Sequence, residues 1–291
     1  MAREGWRRAG PEVASRGSRI LGSVRSGGGA GRSLAIAIVS TVAFFALLAV
    51  LITHAPGWPE VRRTFLDWGQ FKSSFPEIAR AFLLNVKIFC IAEAFILVFA
   101  LVIAVMRSVP GPAALPLRML GIAYADFFRG VPTILVIATL GFGAPALQLQ
   151  GVPLSTTFWG IVSLVLVYTA YVSEVYRAGI ESVHPSQAAA ARSLGLNYWQ
   201  SMRTVVLPQA VRRVIPPLLN DFIGLQKDTA LVGFLGSVEA FKQSQIDAAA
   251  TFNYTSYLAA AFLFVALTIP LARFTDWLVA RDRRRRQAAG T

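Results

Sequence analysis

The chain has 291 residues, 55% of them apolar and only 15% charged, with a mean hydropathy of +0.56. That apolar excess over a water-soluble domain identifies an all-α, polytopic membrane bundle. The formal charge of +13 does not describe a nucleic-acid surface, because the cations sit in tails and loops between apolar runs, as a topology signal does. No glycine-rich phosphate loop is present, so ATP binding by this chain itself is excluded.

Residues 1–33 carry Arg3, Arg7, Arg8, Arg16, Arg19, Arg25 and Arg32 among Gly and Ser. They read as a disordered basic cytoplasmic tail touching anionic lipid. A secretory signal fits worse, since the apolar run that follows is too long and lacks a small-residue cleavage site. Leu34 to Ile52 is a first span. From His54 to Ile78 the chain is mixed, with Pro56, Trp58, Pro59, Trp68 and Phe71. Tryptophans favour the bilayer surface, so this segment is expected to lie flat on the outer face rather than to touch a soluble partner.

Residues 80–106 form the second span and include Lys87, Cys90 and Glu93. A single cysteine permits no disulfide within the chain. Lys87 can snorkel to the interface; Glu93 should turn inward, either lining a path or joining a polar helix contact. Arg107 to Arg129, with Pro110, Pro112 and Pro116, is expected to return through the cytoplasm as a broken segment. Val131–Leu147 and Phe158–Ala178 are the next spans. At the inner end of the latter, Glu174 and Arg177 share a helix face, as an ion pair fixing the helix or as part of a gate.

A short polar island follows. Ser186 is the expected N-cap, Gln187 to Leu194 includes four consecutive alanines, and Gly195 stands where a helix usually ends. Its length gives a helix of about two turns, too small to be stable alone. Residues 214–236 are the weakest span, opened by Pro216-Pro217 and interrupted by Asn220, Asp221, Gln226, Lys227, Asp228 and Thr229. Such a segment cannot face lipid all round, which makes it the leading candidate for a translocation path; a structural polar network is the alternative. Glu239 to Tyr257 should be external, Leu258–Leu278 the last span, and Arg281 to Arg286 an inner basic tail. The count is six spans with both termini cytoplasmic. His54 and His184 lie far apart without metal-spaced partners, so neither a metal nor a cofactor is expected.

The residues Gln187-x-Ala189-Ala190-Ala191-x-x-Leu194-Gly195, then Val206-Leu207-Pro208, resemble the coupling loop of type I ABC-importer permeases. Phe128-Arg129-Gly130-Val131-Pro132, Glu174-x-x-Arg177-x-Gly179-Ile180 and Gln226-Lys227-Asp228-Thr229-Ala230-Leu231 are similar to the polar amino-acid branch of that family. The resemblance covers residues 80–279, leaving 34–79 as an added helix and loop, 1–33 and 280–291 as tails. One departure stands out: the family's Glu falls on Ala189, which keeps the helix and removes a carboxylate. The resemblance implies a bacterial plasma-membrane subunit that translocates polar amino acids or related zwitterions. It also implies a separate ATPase subunit, a second permease subunit and an extracytoplasmic solute-binding protein. Ser186, Gln187, Ala188, Ala189, Ala190, Ala191, Arg192, Leu194, Gly195, Leu207 and Pro208 would then form the ATPase-coupling element. Glu93, Glu174, Asn220, Gln226, Lys227 and Asp228 are the path candidates. A self-contained ion-coupled transporter could use Glu93, Asp221 and Asp228 instead, but it needs no short cytoplasmic helix. An enzyme is not supported, since no nucleophile–base pair or paired carboxylates appear.

Overall fold

The computed structural model describes residues 30–109 and 111–288. Most of the expected N-terminal tail, residues 1–29, and the last three residues of the C-terminal one lie outside the described residues. The chain divides at residue 62 into two compact units. The first holds α1 (Ala30–Thr53), whose described side chains are exposed along its whole length. Its 24 residues reach about 36 Å, enough to span a bilayer. Next comes α2 (Trp58–Phe65), a short amphipathic helix with no buried residue.

The second unit begins its long helices with α3 (Trp68–Ser108), 41 residues and about 61 Å long at 1.5 Å per residue. The segment expected to lie flat therefore splits: only α2 is separate, and residues 68–78 belong to the span helix. Asp67 is the cause at one end, its carboxylate accepting from the N–H groups of Gly69 at 2.8 Å and Gln70 at 3.2 Å. An apolar stripe of Phe71, Phe75, Ile78 and Phe82 holds the helix through Pro76, packing with Ala240, Ala259, Ala260, Leu263 and Phe264.

The broken return expected over 107–129 is instead a helix, α4 (Leu115–Gly130), entered through a 3₁₀ turn at Pro112–Ala114. Its prolines sit at helix starts, where the missing N–H costs nothing. The helix turns by 99° into α5 (Thr133–Ala146). Next is α6 (Thr156–Glu181), capped by Ser155, which runs through the centre and packs against α3, α4 and α5. Ile88, Ile96, Ile137, Leu164, Val167 and Val172 are almost fully buried around it.

Beyond α6 come α7 (Pro185–Ser193), α8 (Tyr198–Ser201), a π-helical turn at Met202–Val206 and α9 (Leu207–Asp228). Pro216 and Pro217 lie inside α9 rather than opening it. The helix starts earlier because Pro208 occupies its first turn. A 3₁₀ segment, Thr229–Leu235, leads to α10 (Ala240–Thr251), and α11 (Thr255–Ala288) ends the described chain. The expected basic tail from residue 280 thus continues as helix, since alanine and arginine both favour it and no breaker intervenes. Among the described residues four helical stretches are long and apolar enough to cross a membrane, five with the bent α4–α5 pair as one. The polar stretch α9 with its 3₁₀ extension, one of the six spans expected from the sequence, is not among them.

The contact of α6 with α9 is unusually close at Gly179, where an added Cβ would lie 2.0 Å from Val214 Cγ1 and 3.5 Å from the Ala210 carbonyl. Gly179→Val is expected to destabilise the protein by about 1–3 kcal/mol through overpacking. Thermal unfolding in detergent should show a lowered midpoint, partly restored by adding Val214→Ala; an unchanged midpoint would contradict this packing.

Candidate coupling helix and membrane path

Helix α7 begins two residues earlier than its sequence suggests. His184 is the N-cap: its Nδ1 accepts from the Ser186 N–H at 3.2 Å and pairs with Ser186 Oγ at 2.7 Å. Pro185 occupies the first turn, which needs no donor there, so Ser186 falls inside the helix. The far end is as expected. Gly195 takes φ +86°, its N–H donates to the Arg192 carbonyl at 2.9 Å, and the Leu196 N–H reaches back to Ala191 at 3.3 Å. This paired arrangement satisfies the last carbonyls of the helix.

The four alanines divide by face. Ala191 is buried, and Ala188 is half-buried and packs against the cluster of Val183, Val206 and Ala210. Ala189 and Ala190 are exposed, with Ser186, Gln187 and Arg192. Ala189, where the family has Glu, therefore faces away from the body of this chain. Leu194 is 85% exposed and Trp199, just beyond, is 65% exposed. Leu207 and Pro208 are also exposed, at the start of α9.

Two polar clamps fix the end of α6 from which α7 departs. Arg213 of α9 donates to the Ser182 carbonyl and, at 3.1 Å, to Ser182 Oγ, fixing the strand of chain that enters α7. At the same end Glu174 accepts from Arg107 at 2.9 Å and is paired with Arg177, which also reaches Glu181. The ion pair expected between Glu174 and Arg177 is thus part of a larger network joining α3 to α6. An open cavity of about 360 Å³ lies beside it, lined by Arg129, Tyr171, Glu174, Arg213, Pro217 and Asp221 among others. Glu174→Ala would leave the Arg107 side chain, only 11% exposed, without its carboxylate. A loss of up to about 3 kcal/mol in unfolding stability is expected, at the low end for a broken buried pair because Glu174 keeps some solvent contact. Detergent unfolding checks this, and an unchanged midpoint would make the network dispensable.

The path candidates separate into two groups. Asn220 and Lys227 are exposed and seven positions apart, hence on one face of α9. A polar face at this place cannot be turned to lipid. Glu93 is half-buried and faces Asp221 and Tyr176. Gln226 and Asp228 turn into the bundle: Asp228 accepts from the Tyr168 hydroxyl at 2.9 Å, and Gln226 accepts from Thr268 Oγ1 at 2.8 Å. Buried Gln226 Nε2 and Asp221 Oδ2 have no hydrogen-bond partner among the described residues.

Reasoning from sequence passed over Glu239 and Asn85. Glu239 is fully buried and caps α10, and its carboxylate takes a hydrogen bond from Asn85 Nδ2 at 2.9 Å. Burial pushes that carboxyl above its usual range, while the N–H groups of Phe241 and Lys242 and the Asn85 amide pull the other way. Asp247 on α10 is raised likewise by burial and by nearby Glu77, against a hydrogen bond from Gln243. The only signal for Glu239 was its place just before a helical run.

Residues 113–284, more than half of the chain, match a family model described as the binding-protein-dependent transport system inner membrane component. The chain is 34% identical to a probable amino-acid permease protein, YxeN, of Bacillus subtilis, over 70% of this chain and 90% of that one. A probable glutamine ABC transporter permease protein, GlnM, of the same organism is 35% identical, over 67% and 87% respectively. Among solved structures, an amino acid ABC transporter crystallised with histidines is 26% identical, covering 74% of this chain and 98% of its own, with a TM-score of 0.68. The MetNI methionine ABC transporter, inward facing, shares the fold at 19% identity and a TM-score of 0.58. With its membrane helices, short capped α7 and polar α9, the chain belongs to the family of binding-protein-dependent transport system inner membrane components.

Proposed function

We propose that this chain is the permease subunit of an ATP-driven importer for polar amino acids or related small zwitterions. It sits in the bacterial plasma membrane with both termini in the cytoplasm, and α1 is an added membrane helix. It works with a separate ATPase subunit, a second permease subunit and an extracytoplasmic solute-binding protein.

The observation that carries this reading is the end of α7. Leu194 is 85% exposed on a helix that the chain otherwise secures through Ala191, and an apolar side chain so placed fits a groove on a partner. The helix follows α6 through Ser182–His184, where Arg213 of α9 holds Ser182, and its Ala188 packs on the Val183–Val206–Ala210 cluster. A push on α7 would therefore move α6 and α9 together. When ATP draws two ATPase subunits together, two permeases rock between inward-open and outward-open arrangements by rigid-body motion. The face of α9 with Asn220 and Lys227 borders the route, and Glu93, Asp221 and Asp228 supply carboxylates near it.

The test is ATP hydrolysis by this chain co-purified with candidate ATPase subunits in lipid, with a binding protein loaded with single amino acids. Stimulation by one amino acid supports the reading and names the substrate. If no ATPase co-purifies, an ion-driven transporter becomes the better reading.

A further inference from the structure

A run of buried hydrogen bonds crosses the bundle away from α7. Glu239 Oε2 accepts from Asn85 Nδ2 and from the Phe241 N–H, both at 2.9 Å, and Oε1 accepts from the Lys242 N–H at 2.8 Å. Asn85 Oδ1 accepts from the Ala240 N–H at 3.1 Å, so the first three N–H groups of α10 are all satisfied by these two side chains. The Asn85 amide also reaches Thr229 Oγ1 at 3.2 Å, and Thr229 donates to the Gln226 carbonyl at 2.7 Å. Gln226 in turn accepts from Thr268 on α11. At Gly233 an added Cβ would stand 2.1 Å from Glu239 Oε1, so the carboxylate fills the space the glycine leaves.

A carboxylate with no solvent exposure is costly unless every oxygen is well bonded. An exposed Ser or Asp would cap α10 without that cost. What the buried arrangement adds is attachment: α3, the end of α9, α10 and α11 are fastened at one point. Gln226 and Thr229 flank Lys227 and Asp228, two of the path candidates.

We propose that Glu239 and Asn85 are positioning residues that make α10 move as one body with α3 and the end of α9, so that rocking of α9 opens or closes the outer end of the path. This rests on the importer reading above.

The experiment uses the full transporter in lipid, with its ATPase and a substrate-loaded binding protein. Glu239→Gln keeps the size of the side chain but exchanges an acceptor oxygen for an amide NH2, which leaves at least one former N–H partner without an acceptor and adds donors of its own. Uptake should fall by at least about tenfold, the scale of one such loss. Basal ATP hydrolysis and assembly should stay within about twofold, while stimulation by the loaded binding protein drops towards none. Hydrogen exchange of the α10 amides should rise without a change in α6, and Glu239→Asp should recover part of the stimulation. Normal uptake and stimulation in Glu239→Gln, with faster α10 exchange, would make Glu239 a helix cap alone and overturn the proposal. Should that variant fail to assemble, Gly233→Ala displaces the carboxylate without removing it. Uncoupled hydrolysis in Gly233→Ala supports the proposal, and failure of both to assemble assigns a purely structural role. Absence of any stimulation in the unaltered complex would instead defeat the importer reading.

Discussion

Leu194→Asp is expected to abolish ATP-driven uptake while the protein inserts and unfolds as the wild type does. In this chain Leu194 contacts little, being 85% exposed, so its replacement should change stability by no more than about 0.5 kcal/mol. Buried in a partner's groove, the same side chain contributes about 1.5–3 kcal/mol, which is roughly ten- to a hundredfold in affinity. A charge placed there adds a desolvation cost. Gly195→Asp should act in the same direction for a second reason. Gly195 has φ +86° with nothing within 4 Å of an added Cβ, so space inside the chain does not forbid a side chain. The strain of the left-handed conformation is about 1–2 kcal/mol for most residues and less for Asp, which tolerates it. A loss of uptake larger than that strain explains must arise outside the chain. The measurement pairs uptake in membrane vesicles with co-purification of the ATPase. Normal uptake by both variants would remove α7 as the point of coupling.

How far the sequence disclosed this arrangement depended on the range of the interaction involved. Gly195 was legible because a helix stop is local: the positive φ and the two closing hydrogen bonds lie within a few residues. The pairing of Glu174 with Arg177 was legible for the same reason, three positions apart on one helix. Arg107 was not, since it meets Glu174 only because α3 packs along α6. The contact between Asn85 and Glu239 spans 154 positions, and neither residue is unusual in its own segment. Prolines misled in the opposite sense. Pro112, Pro116, Pro216 and Pro217 suggest breaks or starts, yet α4 begins among the first two and α9 runs through the others. His184 displaced Ser186 as the cap of α7 because Pro185 is so well suited to the first helical position.

Lys227→Ala should reduce uptake at least about tenfold and leave membrane yield and the unfolding midpoint unchanged, as for exposed side chains away from a packed feature. Lys227 is exposed on α9, and its side chain makes no hydrogen bond or ion pair among the described residues. Its neighbour Asp228 accepts a hydrogen bond from the Tyr168 hydroxyl at 2.9 Å. An ammonium on a membrane-embedded helix, on the same face as Asn220, is retained against a high cost in lipid. It is readily accommodated where that face meets a wet passage and a carboxylate to hold. Removing the charge therefore takes away a binding contact without disturbing packing. Lys227→Arg keeps the charge and should retain part of the uptake, with a raised apparent KM, because the guanidinium fork has a different shape. If Lys227→Ala instead lowers yield and midpoint together, Lys227 belongs to the scaffold through a neighbouring subunit, and the face of α9 is an interface rather than the lining of a path.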